Sequence, residues 1–257
     1  AHPFTAAGLA ISCLAVLLLF LIGLVDALTS SEENTTLRYA LWGGFAGFAL
    51  TTAGAIPGFF LRSLPQKIED SLLGLAAGMM LAASSFSLIL PGLKAGDAIT
   101  GSALLGAATV VFGMALGVML MLGMDEFTPH EHAHTGVFGP EARRLGRIWL
   151  FVLAIALHNL PEGMAIGVSF AQGDLQVGIP LTSAIAMQDI PEGLAVAMAL
   201  RSVGYSALKS VSIASITGLL EPLGSIIGLT LSSGLAIAYP VGLGLAAGAM
   251  LFLSRQT

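Results

Sequence analysis

Residues 148–170 read IWLFVLAIALHNLPEGMAIGVSF. The run is apolar enough, and at more than the roughly 20 residues required long enough, to cross a bilayer as a helix. Its middle nevertheless holds His158, Asn159, Pro161 and Glu162, groups that hydrocarbon rejects. The next apolar run, 177–200, does the same thing. Gln188-Asp189-Ile190-Pro191-Glu192-Gly193 echoes His158-Asn159-Leu160-Pro161-Glu162-Gly163 at an offset of thirty residues. On a helix, His158 and Glu162 lie one turn apart on one face, as do Gln188 and Glu192. Asn159 and Asp189 occupy equivalent positions one residue on. Two antiparallel neighbours would thus present matched half-sites, each an N or O ligand followed by a carboxylate.

Working outward, the whole chain has the same apolar character. Of 257 residues, 56% are hydrophobic and only 10% charged, with a mean hydropathy of +0.90. A soluble domain carries about 25% charged residues. The deficit predicts an all-α integral membrane protein, a polytopic helical bundle. Glycine is abundant at 32 residues, as in membrane helices that approach closely. A net charge of −5 with no basic patch excludes nucleic acid as a partner. The single cysteine, Cys13, excludes an intrachain disulfide and a cysteine-based zinc site.

Eight runs are predicted to span: 6–28, 39–61, 70–90, 99–123, 148–170, 177–200, 207–231 and 234–254. They form one membrane domain over 1–257, with the lipid bilayer as its surroundings. The first run is too long, and lacks the basic flank, to read as a signal peptide. Links are short except 124–147, which is charged and histidine-bearing. If the runs alternate, one side receives Arg62, Lys67, Arg143, Arg144, Arg147, Arg201, Lys209 and Arg255, and the other only Arg38 and Lys94. The positive-inside rule then makes the N-terminus and 124–147 cytoplasmic.

The prolines belong to the same reading. Pro161 deprives the carbonyl of Leu157 of its usual donor, and Pro191 that of Met187. In lipid such carbonyls face protein, water or an ion, and broken helices at mid-membrane build ion sites. Glu221-Pro222 adds a third intramembrane acid, and Met79-Met80 a pair of soft thioethers on a helix rich in small residues. A lone intramembrane glutamate can be a structural hydrogen bonder, a lone histidine or methionine a packing residue, and a proline a simple kink. Here four acids and a histidine fall in three segments with no Lys or Arg near the middle of any of them. Such a set calls for an external positive charge, and a metal cation in transit supplies it. Imidazole, thioether and carboxylate suit zinc and its neighbours better than Mg²⁺ or Ca²⁺. His130, His132 and His134, beside Asp125, Glu126 and Glu131, can hold a divalent ion loosely or form an ordinary solvated loop. Asp70 is either a helix N-terminal acid or an intracellular exit-site ligand. Asp26 lies near the end of its run and reaches the interface.

These motifs resemble those of the ZIP (ZRT/IRT-like) family of divalent metal transporters, particularly its bacterial GufA-like branch, from about residue 39 onward. The resemblance implies a binuclear mid-membrane site. Met80, His158, Glu162, Gln188 and Glu192 would hold one ion, and Asn159, Glu162, Asp189, Glu192 and Glu221 the other, with Glu162 and Glu192 bridging. It also implies uptake of Zn²⁺, or in various members Cd²⁺, Fe²⁺ or Mn²⁺, toward the cytoplasm across a bacterial inner membrane. The bundle would be elevator-like, with one unit sliding or rocking against a scaffold, commonly as a homodimer. No cofactor is implied; Zn²⁺ or Cd²⁺ is bound as substrate. Gln188 stands where many eukaryotic members have histidine. The family places this motif in its fourth helix, and here it falls in the fifth run. The run 6–28 is therefore expected to be an extra N-terminal helix, and the family's last helix to be missing. Arg255-Gln256-Thr257 stand where some members carry a His-Glu pair.

On this reading the chain is not an enzyme. Neither motif segment contains His-Glu-x-x-His, which argues against an intramembrane metallohydrolase. A carrier of organic solutes would want a cationic or aromatic group that the motif helices lack. A membrane metal sensor using the histidine loop is the remaining alternative. In the absence of metal, Glu162, Asp189 and Glu192 must share protons, so binding should release them.

Overall fold

A computed structural model describes residues 35–61, 64–127 and 140–254, together with Ile11, Leu14, Leu18 and Ile22 of the first run. Those four positions are helical and exposed; the rest of 6–28, with Cys13 and Asp26, lies outside the described residues. No strand occurs among the described residues. The helices are α1 (Thr35–Ala55), α2 (Gln66–Ala82), α3 (Leu90–Thr100), α4 (Ala103–Phe127), α5 (Pro140–Phe170), α6 (Leu175–Ser202), α7 (Ala207–Thr217), α8 (Leu220–Ser232) and α9 (Ala238–Ser254). Four stretches can cross a membrane by length and composition: Asp70–Thr100, Ala103–Met124, Ile148–Phe170 and Ala207–Ser232. Helices α1 and α6 are 21 and 28 residues long, but glycines, threonines and acids dilute their apolar character. The chain is a multi-pass helical membrane protein.

Four sequence expectations change. The run 70–90 is part of one rod over 66–100, in which the π-helical segment Ala83–Ile89 joins α2 to α3. Pro91 does not end the helix, because it falls in the first turn of α3, where the π segment has already displaced the regular hydrogen-bond ladder. The rod ends at Gly101, whose φ of 67° lies in the left-handed region that a Cβ disfavours. The expected breaks at Pro161 and Pro191 do not occur either. Both prolines sit inside continuous helices, α5 and α6. Each costs its helix one ladder bond, and the regular turns on either side carry the helix through. The break comes in the run 207–231, at Gly218 and Leu219. Pro222 cannot donate to the Gly218 carbonyl four residues back, and its ring crowds that carbonyl. Tight turns replace the ladder, with Leu219 N–H on Ile216 O at 3.1 Å and Glu221 N–H on Gly218 O at 3.1 Å. The interval 124–147 also shortens: α4 runs through Phe127 and α5 starts at Pro140.

The helices fall into two groups. Helices α1, α5, α6 and α7–α8 pack together, with α5 on α8 and α1 on α6 as the most extensive pairs. Helices α3, α4 and α9 form the other group around the α4–α9 pair, and α2, joined to α3 through the π segment, packs chiefly on α6. Glycine makes both groups tight. The buried stripe of α1 is Ala40, Gly43, Gly44, Gly47, Thr51, Gly54 and Ala55, with nothing larger than threonine. A Cβ on Gly167 would strike the carbonyl of Ser225, and one on Gly117 that of Leu245. Among the described glycines, each one whose Cβ would meet another helix's backbone does so within its own group. Between the groups lie apolar side chains instead, among them Met80, Leu88, Ile166, Leu181, Leu243 and Met250. At one rim, Trp149 Nε1 donates to Tyr205 Oη at 3.0 Å, and Arg201 donates to the Tyr205 carbonyl at 3.0 Å and the Leu61 carbonyl at 3.4 Å. These bonds tie together the ends of α1, α5 and α6.

Candidate metal centre

The two proline-glutamate helices, α5 and α6, meet with their acids inward. Glu162, Asp189 and Glu192 each offer a carboxylate oxygen, and these oxygens all lie within 4.8 Å of one another. All three side chains are buried, as are Asn159, Gln188 and Glu221. Gln188 Nε2 donates to Glu162 Oε1 at 2.6 Å. The i, i+4 spacing thus does bring the second half-site onto the first, through an amide as well as through carboxylates.

Glu221 arrives from the broken helix. It lies in the first turn of α8, where unpaired backbone N–H groups favour a negative charge. Its carboxylate crosses toward α1. A Cβ on Gly47 would collide with Glu221 Oε2 and stand 3.0 Å from Asp189 Oδ2. Gly47 is therefore the clearance that lets these two acids sit side by side. One turn along α1, Thr51 Oγ1 donates to Glu221 Oε1 at 3.0 Å.

Asn159 Nδ2, an amide donor, is buried without an acceptor. Glu162 Oε2, Gln188 Oε1, Asp189 Oδ1, Asp189 Oδ2, Glu192 Oε2 and Glu221 Oε2 are buried and accept no hydrogen bond. None of Arg38, Lys67, Lys94, Arg201 and Lys209 is buried. Buried acceptors without donors are rare and costly; here six occur on five residues, and three of those residues bring carboxylate oxygens within 4.8 Å of one another, a cage for a cation. With metal–oxygen bonds of about 2.0–2.2 Å in tetrahedral geometry, the ligand oxygens of a zinc ion stand roughly 3.4 Å apart. The oxygens of the carboxylate trio lie within 4.8 Å of one another, near enough for side-chain adjustment to bring them onto one ion.

Other predicted residues are placed differently. Met80 is fully buried and packs in the apolar cluster between the two groups. His158 is half-buried and is not part of the tight carboxylate trio. Asp70 is exposed near the start of α2. His130, His132 and His134 lie outside the described residues. Residues 130–134 do spell His-Glu-x-x-His, so the absence of that pattern holds for the membrane segments alone. Sequence reasoning missed Gly47 and Thr51. The available signal was the spacing Gly43, Gly47, Thr51, four residues apart each time on one face of α1.

A buried acidic cage enclosed by closely packed apolar helices defines a polytopic membrane protein built to hold cations within the bilayer. A family model described as "ZIP Zinc transporter" matches residues 128–255. The chain is 58% identical over 252 residues to zinc transporter ZIPB of Bordetella bronchiseptica, covering 98% of this chain and 81% of that one. It is 37% identical over 205 residues to zinc transporter GufA of Myxococcus xanthus, covering 79% and 80%. It is 37% identical over 227 residues to zinc transporter ZupT of Corynebacterium glutamicum, covering 82% and 83%. The chain belongs to the ZIP zinc transporter family, a family of transporters and not of enzymes.

Proposed function

We propose that this chain carries divalent transition-metal cations, Zn²⁺ first and Cd²⁺, Fe²⁺ or Mn²⁺ with it, across the bacterial inner membrane into the cytoplasm. The observation that carries the proposal is the set of six buried oxygens without donors on Glu162, Gln188, Asp189, Glu192 and Glu221. The first ion site would use Met80, His158, Glu162, Gln188 and Glu192, and the second Asn159, Glu162, Asp189, Glu192 and Glu221. Glu162 and Glu192 would bridge. A cation reaching the cage loses water and displaces the protons that the crowded acids share.

The two-group packing supports an elevator-like motion. The backbone-tight group of α1, α5, α6 and α7–α8 would move as a body, and the α3, α4 and α9 group would stay as the frame. Side-chain packing between the groups supports this, because apolar side chains can exchange partners where backbone contacts cannot. On the cytoplasmic side, Asp70 would serve departing ions, and His130, His132 and His134 in the 124–147 interval would collect them. A single membrane domain, an extra helix over 6–28 and a homodimer complete the proposal.

The test is uptake of labelled zinc into proteoliposomes, with each other cation as competitor. Saturable uptake that Cd²⁺ inhibits and Mg²⁺ does not is the expected result. Vesicles that bind zinc at the histidine interval but accumulate none would favour a sensor and overturn the transport reading.

A further inference from the structure

Thr51 stands at the centre of α1's small-residue stripe and is 1% exposed. A mid-helix threonine ordinarily returns its hydroxyl hydrogen to the carbonyl four residues back. That carbonyl, Gly47 O, is 3.2 Å away, yet Glu221 Oε1 is nearer at 3.0 Å. A hydroxyl has one hydrogen to give, and the shorter contact marks the Glu221 oxygen as its acceptor. The side chain is also seated against neighbouring helices. A Cβ on Gly218, at the break before α8, would lie 3.0 Å from Thr51 Cβ. A Cβ on Gly193 of α6 would strike the Thr51 carbonyl. The remaining oxygen, Glu221 Oε2, is buried and lies beside Gly47 and Asp189.

Resting on the transport reading above, we propose that Thr51 sets the metal preference of the site by donating to one oxygen of Glu221, which weakens that oxygen as a ligand and favours binding of the cation through the other. A carboxylate with both oxygens free can clasp a large ion, and Ca²⁺ takes 6–8 oxygen ligands, often from bidentate carboxylates. A carboxylate that favours one oxygen suits the low coordination numbers and short bonds of zinc-like ions. Thr51 is a positioning residue and acts only through Glu221.

Thr51→Val removes the hydroxyl while keeping the shape, and Thr51→Ser keeps the hydroxyl. In proteoliposomes, Thr51→Val should raise the KM for zinc about tenfold, the scale of a hydrogen bond to a charged group. Its maximal rate should stay within about twofold, because the moving surfaces are unchanged. Inhibition of zinc uptake by Ca²⁺ should strengthen by about tenfold or more as the second oxygen regains its strength as a ligand. Thr51→Ser should keep the wild-type KM and calcium response. Thr51→Ala, which also lacks the hydroxyl, should reproduce the valine result if valine strains its seat. Wild-type zinc KM and calcium response in both Thr51→Val and Thr51→Ala would overturn the proposal, as would a Thr51→Ser variant impaired as deeply as they are. Glu162→Gln separates the two levels. If it abolishes uptake while Thr51→Val behaves as wild type, only the role of Thr51 is overturned. If Glu162→Gln transports normally, the site reading beneath it is overturned too.

Discussion

Two seams of the same construction hold this molecule, and they enclose opposite contents. On α5 and α8, Gly163 and Gly167 face Gly224 and Gly228; on α4 and α9, Gly113 and Gly117 face Gly244 and Gly248. In each pair the glycines recur four residues apart and bring backbone against backbone, which is how helices associate where lipid offers no hydrophobic drive. The α4–α9 seam presses on the carbonyls of Val241 and Leu245, and the α5–α8 seam on those of Glu221 and Ser225. The spacing of small residues thus specifies closeness and nothing more. What turns one seam into a metal cage is the acid placed beside it, at the start of a helix that Pro222 interrupts.

The comparison can be broken most severely at the acids. Glu162→Ala should bring zinc uptake in vesicles to background, because this carboxylate would serve both ions. Asn159→Ala should lose roughly tenfold, as a neutral ligand to one ion does. Activity of Glu162→Ala equal to wild type would erase the distinction between the seams.

Protons provide the next test. Metal binding displaces protons from the crowded carboxylates, so zinc affinity should weaken as pH falls from 8 toward 5, by up to about tenfold per pH unit for each proton displaced. Affinity that stays flat across this range would count against the cage. A Gly117→Ala protein should follow the wild-type pH profile, since its seam holds no acid.

The glycines themselves separate stability from affinity. Gly117→Ala and Gly163→Ala should each cost about 1–3 kcal/mol in detergent melting, the usual penalty for overpacking a tight contact. Gly163→Ala should raise the KM for zinc as well, because its Cβ would stand 2.7 Å from Glu221 Cα. An unchanged KM there would show that the seam and the cage are independent. The smallest effect is expected at the rim. Trp149→Phe loses the bond to Tyr205 and about 0.5–1.5 kcal/mol, visible as a small drop in melting temperature with zinc affinity intact.

The sequence carries much of this because its strongest signals are local. Long apolar runs declare membrane helices, and acids inside them declare a site, since hydrocarbon tolerates neither polar backbone nor unpaired charge without cause. The positions of Glu162, Asp189, Glu192 and Glu221 needed no partner to be noticed. Partnership itself was not legible. Gly113-x-x-x-Gly117 reads the same as Gly163-x-x-x-Gly167, and only folding assigns one to α9 and the other to α8. The prolines misled for a related reason. Pro161, Pro191 and Pro222 each remove one N–H, and whether a helix continues depends on the turns and neighbours around it. The spacing Gly43, Gly47, Thr51 marks a face but not a role for Thr51, because a threonine in a membrane helix usually satisfies itself on its own backbone, and its acid lies 170 residues away.

The rod formed by α2, its π segment and α3 has a consequence for the surroundings of the protein. At 1.5 Å per residue, 66–100 extends about 50 Å, whereas the hydrocarbon core is about 30 Å thick. A stiff element so much longer than its solvent must lean or stand proud of it, and the π segment marks where its course can bend. A rod of this length ties the protein to its lipid, and the thickness of the surrounding bilayer bears on how the rod is seated.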